Sequence, residues 1–191
     1  MKPSGPVFDR TWARRCSIQR VSIGTVSELL TKHYLRKRPA VVPFAVAMFL
    51  DGSIAPLGCC VFALPPKQTS VRYGCETLEL ARLWIDDTIP ANGETWLISK
   101  SVRLLRKALP TVGCLVSYAD PSAGHAGTIY RAANWKADGR TDDERKTPRF
   151  DYVYQGRAVS RRGHIPVGAS FERRPRISKA RFFLRLKDQS R

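Results

Sequence analysis

No apolar run approaching about 20 residues occurs anywhere in the 191-residue chain, and no amphipathic stretch sets a basic face against a broad apolar one. Neither a membrane-spanning nor a membrane-lying helix is therefore expected. The opening MKPSGPVFDR lacks the apolar stretch of a signal peptide, so the expected location is the cytoplasm. There is no C-x-x-C pair. The five cysteines (Cys16, Cys59, Cys60, Cys75, Cys114) are odd in number and lie mostly inside apolar runs, which speaks against a disulfide framework or a zinc ribbon. Histidine is scarce as well. His33, His125 and His164 show no H-x-x-x-H spacing, so no zinc site is legible. No internal repeat appears at any plausible period.

Acidic residues are in short supply: 16 Asp and Glu stand against 33 Lys and Arg, a formal net charge of +17. The imbalance sits at the ends. Residues 1–38 carry nine basic and two acidic side chains, residues 39–139 nine and eight, and residues 140–191 fifteen and six. A nearly neutral centre between two basic ends attracts polyanions through counterion release. The expected partner is a nucleic acid and not a membrane. The oligomeric state is left open, a homodimer being one option. At this length one domain is expected over 1–191, with a basic N-terminal arm at about 1–14 and a basic C-terminal extension at about 157–191.

The order of elements reads as α/β. Residues 16–23 alternate as a strand. In 25–38, Thr25 and Glu28 have capping-box spacing, Leu29, Leu30, His33 and Tyr34 share a helical face, and Pro39 stops the helix. The apolar runs 41–50 and 53–64 are joined through Asp51-Gly52 as a hairpin, Pro43 and Pro56 marking bulges or edges. A strand over 75–85, an amphipathic helix over 94–109 ended by Pro110, a buried strand over 111–119 and a short helix over 124–135 follow. Strands at 149–159 and, at an edge, 181–186 complete the list. A hairpin feeding a βαβ unit gives a mixed β-sheet flanked by helices, an order that resembles the GCN5-related N-acetyltransferase (GNAT) fold.

Residues 117–139, SYADPSAGHAGTIYRAANWKADG, hold more titratable and aromatic groups than a connection needs. Asp120 follows a buried strand, where open α/β sheets place their ligand crevice. Its carboxylate could take a proton from an exocyclic amine or hold a metal; equally, it could cap the turn that Pro121 begins. Tyr130 and Tyr118 could stack on an extruded base or donate a proton, or pack as core. Gly124 and Gly127 around His125 permit close approach of a ligand. Arg82 interrupts an apolar strand, so it must be paired, with Glu79 or Asp120 as a partner, or face a polar cleft. His33 lies on an apolar helical face, where packing is the commoner fate.

Three blocks, LELARLWI, ETWLISKSVR and SYADPSAGHAGTIYRAANW, together resemble the Mom family of phage DNA-modification proteins. The G-H-x-G-x-x-Y-x-A-x-N-W run after S-Y-A-D is that family's most recognisable feature. The resemblance implies a GNAT-like fold and a transferase that converts adenine in DNA to an N6-carbamoylmethyl derivative, shielding it from restriction enzymes. It implies activity at His33, Arg82, Asp120 and Tyr130, with iron at His33 and Asp120. The partner it implies is double-stranded DNA. Tyr118 or Tyr130, with Asn134 and Trp135 nearby, would wall a pocket for the extruded base, with Ser117, Ser99 (on the helix that the family's W-L-I-S block opens) and His125 as further substrate candidates. A tyrosine that the family carries in its early strands has no counterpart between Tyr34 and Tyr73. The turn before the long helix has only Asn92-Gly93 in place of the Arg/Gln-x-x-Gly-x-Gly/Ala pattern that holds a donor's diphosphate, Gly124 and Gly127 being further donor contacts. An acetyl-CoA-like thioester and an aminoacyl-tRNA are both open as donors. The alternatives in function are a GNAT-like N-acyltransferase acting on a protein, RNA or small amine, and a DNA-binding protein without catalysis.

Overall fold

The computed structural model describes residues 11–33, 35, 38–143, 145–159, 168 and 170–186. A short helix α1 (Thr11–Arg14) leads into β1 (Cys16–Val21) and α2 (Ser27–Lys32). The hairpin strands β2 (Phe44–Leu50) and β3 (Gly58–Ala63) come next, then α3 (Lys67–Tyr73) and β4 (Thr77–Ile85). Helix α4 (Gly93–Ala108) crosses over to β5 (Cys114–Ala119), which is followed by a 3₁₀ turn at Pro121–Ala123, α5 (Thr128–Ala132) and β6 (Lys136–Arg140). Strands β7 (Phe150–Tyr154), β8 (Arg157–Val159), β9 (Glu172–Pro175) and β10 (Ala180–Arg185) close the chain.

Seven strands form the main sheet in the order β1-β2-β3-β4-β5-β10-β6, and β8-β7-β9 form a separate three-stranded sheet. Every neighbouring pair in the main sheet is antiparallel except β4 and β5, whose parallel pairing is the consequence of the α4 crossover. Period-two alternation sorts the sheet's side chains onto two faces. Val46, Met48, Leu78, Leu80 and Phe182 join α4 residues Leu97, Ile98 and Leu105 in one core. Ala45, Ala47, Cys59 and Val61 point the other way and receive Leu29 and Leu30 of α2. Tyr73 at the end of α3 packs on that same opposite face against Cys114 and Val116. Among the described residues, no helix is long and apolar enough to cross a membrane.

Several expectations are corrected. Helix α2 ends at Lys32, and His33 is extended (φ −76°, ψ 143°), so His33 does not share the Leu29–Leu30 helical face and Pro39 is not the stop. Tyr34 lies outside the described residues. Thr25 does not cap α2, because Val26 occupies that position; the Thr25 hydroxyl meets Ser22 Oγ instead (3.1 Å). The last strand is not at an edge. β10 inserts between β5 and β6, because its alternation offers Phe182 (1% exposed) to the α4-side core while Arg181 on the other face reaches Asp138. Residues 150–159 belong to the small sheet and not to the main one.

Candidate active site

The parallel pairing of β4 and β5 covers only Thr77↔Cys114, Leu78↔Leu115 and Glu79↔Val116. Beyond it the two strands part company, β4 staying with β3 and β5 with β10. A bulge enforces the divergence: Val61 pairs with Arg82 and Phe62 with Leu80, which leaves Ala81 as one extra residue on β4. The result is a cleft of about 340 Å³ at the point of separation. His33, Glu79, Ser117, Tyr118, His125, Tyr130 and Lys179 line it, together with Gly124 and Gly127.

The cleft opens through the sheet. Leu80 and Tyr130 belong to the α4-side core, whereas Tyr118 packs with Tyr73 and Val116 on the opposite face and Glu79 alternates onto that face. Tyr130 is 8% exposed, its ring lying 5.3 Å from that of Phe182 and 5.5 Å from that of Trp135. Its hydroxyl is 2.8 Å from Ser117 Oγ, which is itself 2.8 Å from Leu80 O. A serine has one proton to give, and a carbonyl only accepts. Ser117 therefore shares its one proton between Leu80 O and the phenol oxygen, and the phenol accepts. This relay joins α5, β5 and β4 across the mouth of the separation.

On the other face, His33 Nδ1 accepts from the Leu35 N–H at 2.9 Å, which fixes the neutral ring's proton on Nε2. Burial, then the Arg82 guanidinium and His125 push its pKa down to about 4, so the ring is neutral at ordinary pH. Arg82 reaches Leu35 O through Nε (2.9 Å) and Ala81 O through Nη1 (2.6 Å), tying the segment after α2 onto the bulge. Sequence reasoning offered Glu79 only as a partner for Arg82, but Glu79 is a member of the cleft in its own right. Burial raises its pKa against the opposing pull of Arg82 and Lys179. The signal was present: an acid stands in an apolar strand at the last paired position before the strands separate. Lys179 had no local signal, since only the insertion of β10 carries the preceding connection to this place.

Asp120 adopts the capping geometry. It accepts from Ser122 N (3.0 Å) and the Ser122 hydroxyl and holds Lys179 Nζ at 2.8 Å. Burial alone would raise its pKa; the hydrogen bonds from Lys179 and Ser122, with the Lys179 charge, hold it below the ordinary aspartate range. A carboxylate so stabilised is a weak base. Gly127 has φ +75°, and an added Cβ would stand 2.3 Å from the Phe182 ring, so this glycine is what lets α5 settle on β10.

Other candidates fall outside the cleft. Ser99 is exposed on α4, its hydroxyl bonded to Thr95 O (2.8 Å). Asn134 is an exposed turn residue with φ 62°, and Trp135 lies beneath Tyr130 as core instead of forming a wall. Asn92 has φ 73° and begins α4, while Gly93 is packed so that a Cβ would meet Ile89 at 2.5 Å and Ile85 at 2.8 Å. Asp86 and Asp87 precede this turn in the chain and Glu94 follows it, acids that disfavour a diphosphate there. The iron expected at His33 and Asp120 does not fit either. Among the described residues no three His, Cys, Asp or Glu side chains come together. Ligation through His33 Nε2 would need a proton on Nδ1, where the Leu35 N–H already points. The Asp120 carboxylate is committed to Ser122 and Lys179.

A model of the Mom protein family matches residues 16–165. The methylcarbamoylase mom of Escherichia phage Mu is 31% identical over 110 residues, covering 55% of this chain and 45% of that protein. The chain thus spans about half the length of this curated relative. Among solved structures, NAA60 of Arabidopsis thaliana in complex with acetyl-CoA gives a TM-score of 0.56 at 10% identity, covering 90% of this chain and 98% of that one. The ribosomal-protein-S5-alanine acetyltransferase of Vibrio fischeri gives 0.56 at 7% identity, covering 93% and 96%. These likenesses show the fold, a mixed sheet flanked by helices as in the GNAT acetyltransferases.

Proposed function

The chain belongs to the Mom protein family, and from that premise we propose that it is a transferase that attaches a carbamoylmethyl group to N6 of adenine in DNA. The observation that carries the chemistry is the opening between β4 and β5, which has a different set of polar groups on each side of the sheet. The exocyclic amine of adenine is a poor nucleophile, because its lone pair is delocalised into the ring, and inside a duplex it is paired. The base must be extruded, and its proton must be accepted as the new bond forms.

Glu79 is the group suited to accept that proton. A raised carboxyl pKa brings its basicity closer to neutral pH than that of an ordinary glutamate. Asp120, held below the ordinary range, instead anchors Lys179 beside the cleft. The neutral His33 presents Nε2–H as a fixed hydrogen-bond donor, and Arg82 positions it by gripping Leu35 O. Tyr118 offers a ring on the same side. From the other side, the Tyr130 phenol, held by Ser117, supplies a proton donor for the departing group.

A thioester arm fits the separation, where the β4 edge beyond Glu79 has no strand partner on the β5 side and Leu80, Leu83 and Ile129 supply apolar walls. Such a donor, when bound, would supply an acyl carbon with a thiolate leaving group. Attack of N6 on that carbon would give an amide, so the bond from N6 to the methylene of a carbamoylmethyl group is not made by acyl transfer alone. The acids around Asn92-Gly93 favour a donor that places no diphosphate there, and an aminoacyl-tRNA is the second reading on that ground. The reading is tested on DNA from cells expressing the protein, challenged with a restriction endonuclease whose recognition sequence contains adenine. Protection that is lost with Glu79→Gln is expected; complete cutting of DNA from cells expressing the unaltered protein contradicts the reading.

A further inference from the structure

We infer that Ile177 is the wedge that enters the base stack as the target adenine leaves it. This rests on the DNA-modifying reading above and deepens it. Ile177 lies on the connection from β9 to β10 and is 55% exposed. A lone exposed isoleucine is ordinary; its setting is not. It lines an open groove of about 540 Å³ with Arg149, Arg174, Arg176 and Lys179. Lys179 also lines the cleft between β4 and β5, so groove and cleft meet at one side chain. Two residues of chain span at most about 7 Å, which keeps Ile177 at that junction.

The cations are oriented by carboxylates: Arg149 by Asp142, Arg174 by Glu172, Arg176 by Asp151 and Lys179 by Asp120. The Arg174 and Arg176 pairs are exposed, weak and readily exchanged for phosphate, whereas the largely buried Asp142 and Asp120 hold Arg149 and Lys179 in place. The groove therefore suits the backbone flanking a base that enters the cleft. Extruding that base leaves a gap in the stack, and an apolar side chain that fills it holds the extruded state open. Isoleucine is apt because β-branching stiffens χ1. Phe171, the other exposed large apolar side chain beside β9 among the described residues, is already engaged edge-on with Tyr152 at 5.3 Å.

The test uses the full chain without donor and a duplex oligonucleotide carrying 2-aminopurine in place of one adenine, whose fluorescence rises on unstacking. A second duplex sets the 2-aminopurine opposite an abasic site, where stacking is already weakened. The unaltered protein is expected to raise the signal in both. Ile177→Ser is expected to lose about tenfold of the response in the fully paired duplex, to keep it opposite the abasic site, and to bind both with near-unaltered affinity. Ile177→Leu restores the paired response. An unchanged response from Ile177→Ser, or equal losses in both duplexes, overturns the wedge alone. No response from the unaltered protein in either duplex overturns the reading on which the wedge rests.

Discussion

Replacing Tyr130 by phenylalanine removes one hydroxyl and keeps the ring against Phe182 and Trp135. The phenol oxygen lies 2.8 Å from Ser117 Oγ, and Ser117 keeps its own bond to Leu80 O at 2.8 Å after the change. Ser117 loses one of its two acceptors and keeps the other. Stability should fall by about 1 kcal/mol, or about 2–4 °C in thermal midpoint for a chain of this length. Modification should fall by about 10²–10⁴-fold, the scale of a lost acid–base contact. Tyr130→Ala removes the ring as well, at about 3–5 kcal/mol, and so reports packing instead. The assay pairs thermal unfolding with the fraction of deoxyadenosine modified in DNA from expressing cells. A Tyr130→Phe protein that modifies adenine at near-unaltered levels refutes a proton-donating role for the phenol.

Glu79→Gln should abolish modification without lowering stability at neutral pH. A raised folded pKa means that the stabilising share of Glu79 is full below its unfolded pKa and lost as pH rises through the folded one, a loss that glutamine avoids; a variant that still modifies adenine removes Glu79 from the chemistry. His33 has the opposite sign. With a folded pKa pushed down to about 4 from 6.5, its contribution is full above the unfolded value and is lost as pH falls through the folded one, so the thermal midpoint should decline across that window and flatten in His33→Gln. An equal decline in the variant assigns the acid sensitivity elsewhere. Gly127→Ala should cost at least about 2 kcal/mol, combining a positive φ with the clash on Phe182. Gly124→Ala, with φ +77° and open space, should cost only about 1–2 kcal/mol; equal midpoints for the two would show that the Phe182 contact is not what fixes Gly127.

Period-two alternation and glycine–proline punctuation made most of the main sheet and α4 legible in the sequence. What they could not show was partnership. RFFLRL reads locally as a strand, and nothing within it tells that it enters between β5 and β6; that depends on residues distant in the chain. The basic extension therefore includes a core strand, and removing residues 160–191 would take Phe182 out of the α4-side core and not merely strip charge. Six-residue α2 stops before Pro39 because tertiary packing of Leu29 and Leu30, and not propensity, decides its length. Ser117 and Tyr118 stood out as polar residues at the end of a buried strand, and Tyr130 as an aromatic in the short helix that follows it. Glu79 was visible but was weighed only as a charge partner, because the separation of β4 from β5 is a property of the sheet.

The nucleosides of DNA recovered from cells expressing the protein, resolved by mass spectrometry beside DNA from cells expressing Glu79→Gln, test the DNA-modifying function most directly. It predicts a deoxyadenosine carrying a carbamoylmethyl group in place of one N6 hydrogen with the unaltered protein, and its absence with the variant. Unmodified deoxyadenosine in both samples, with the protein folded and bound to DNA, would contradict it.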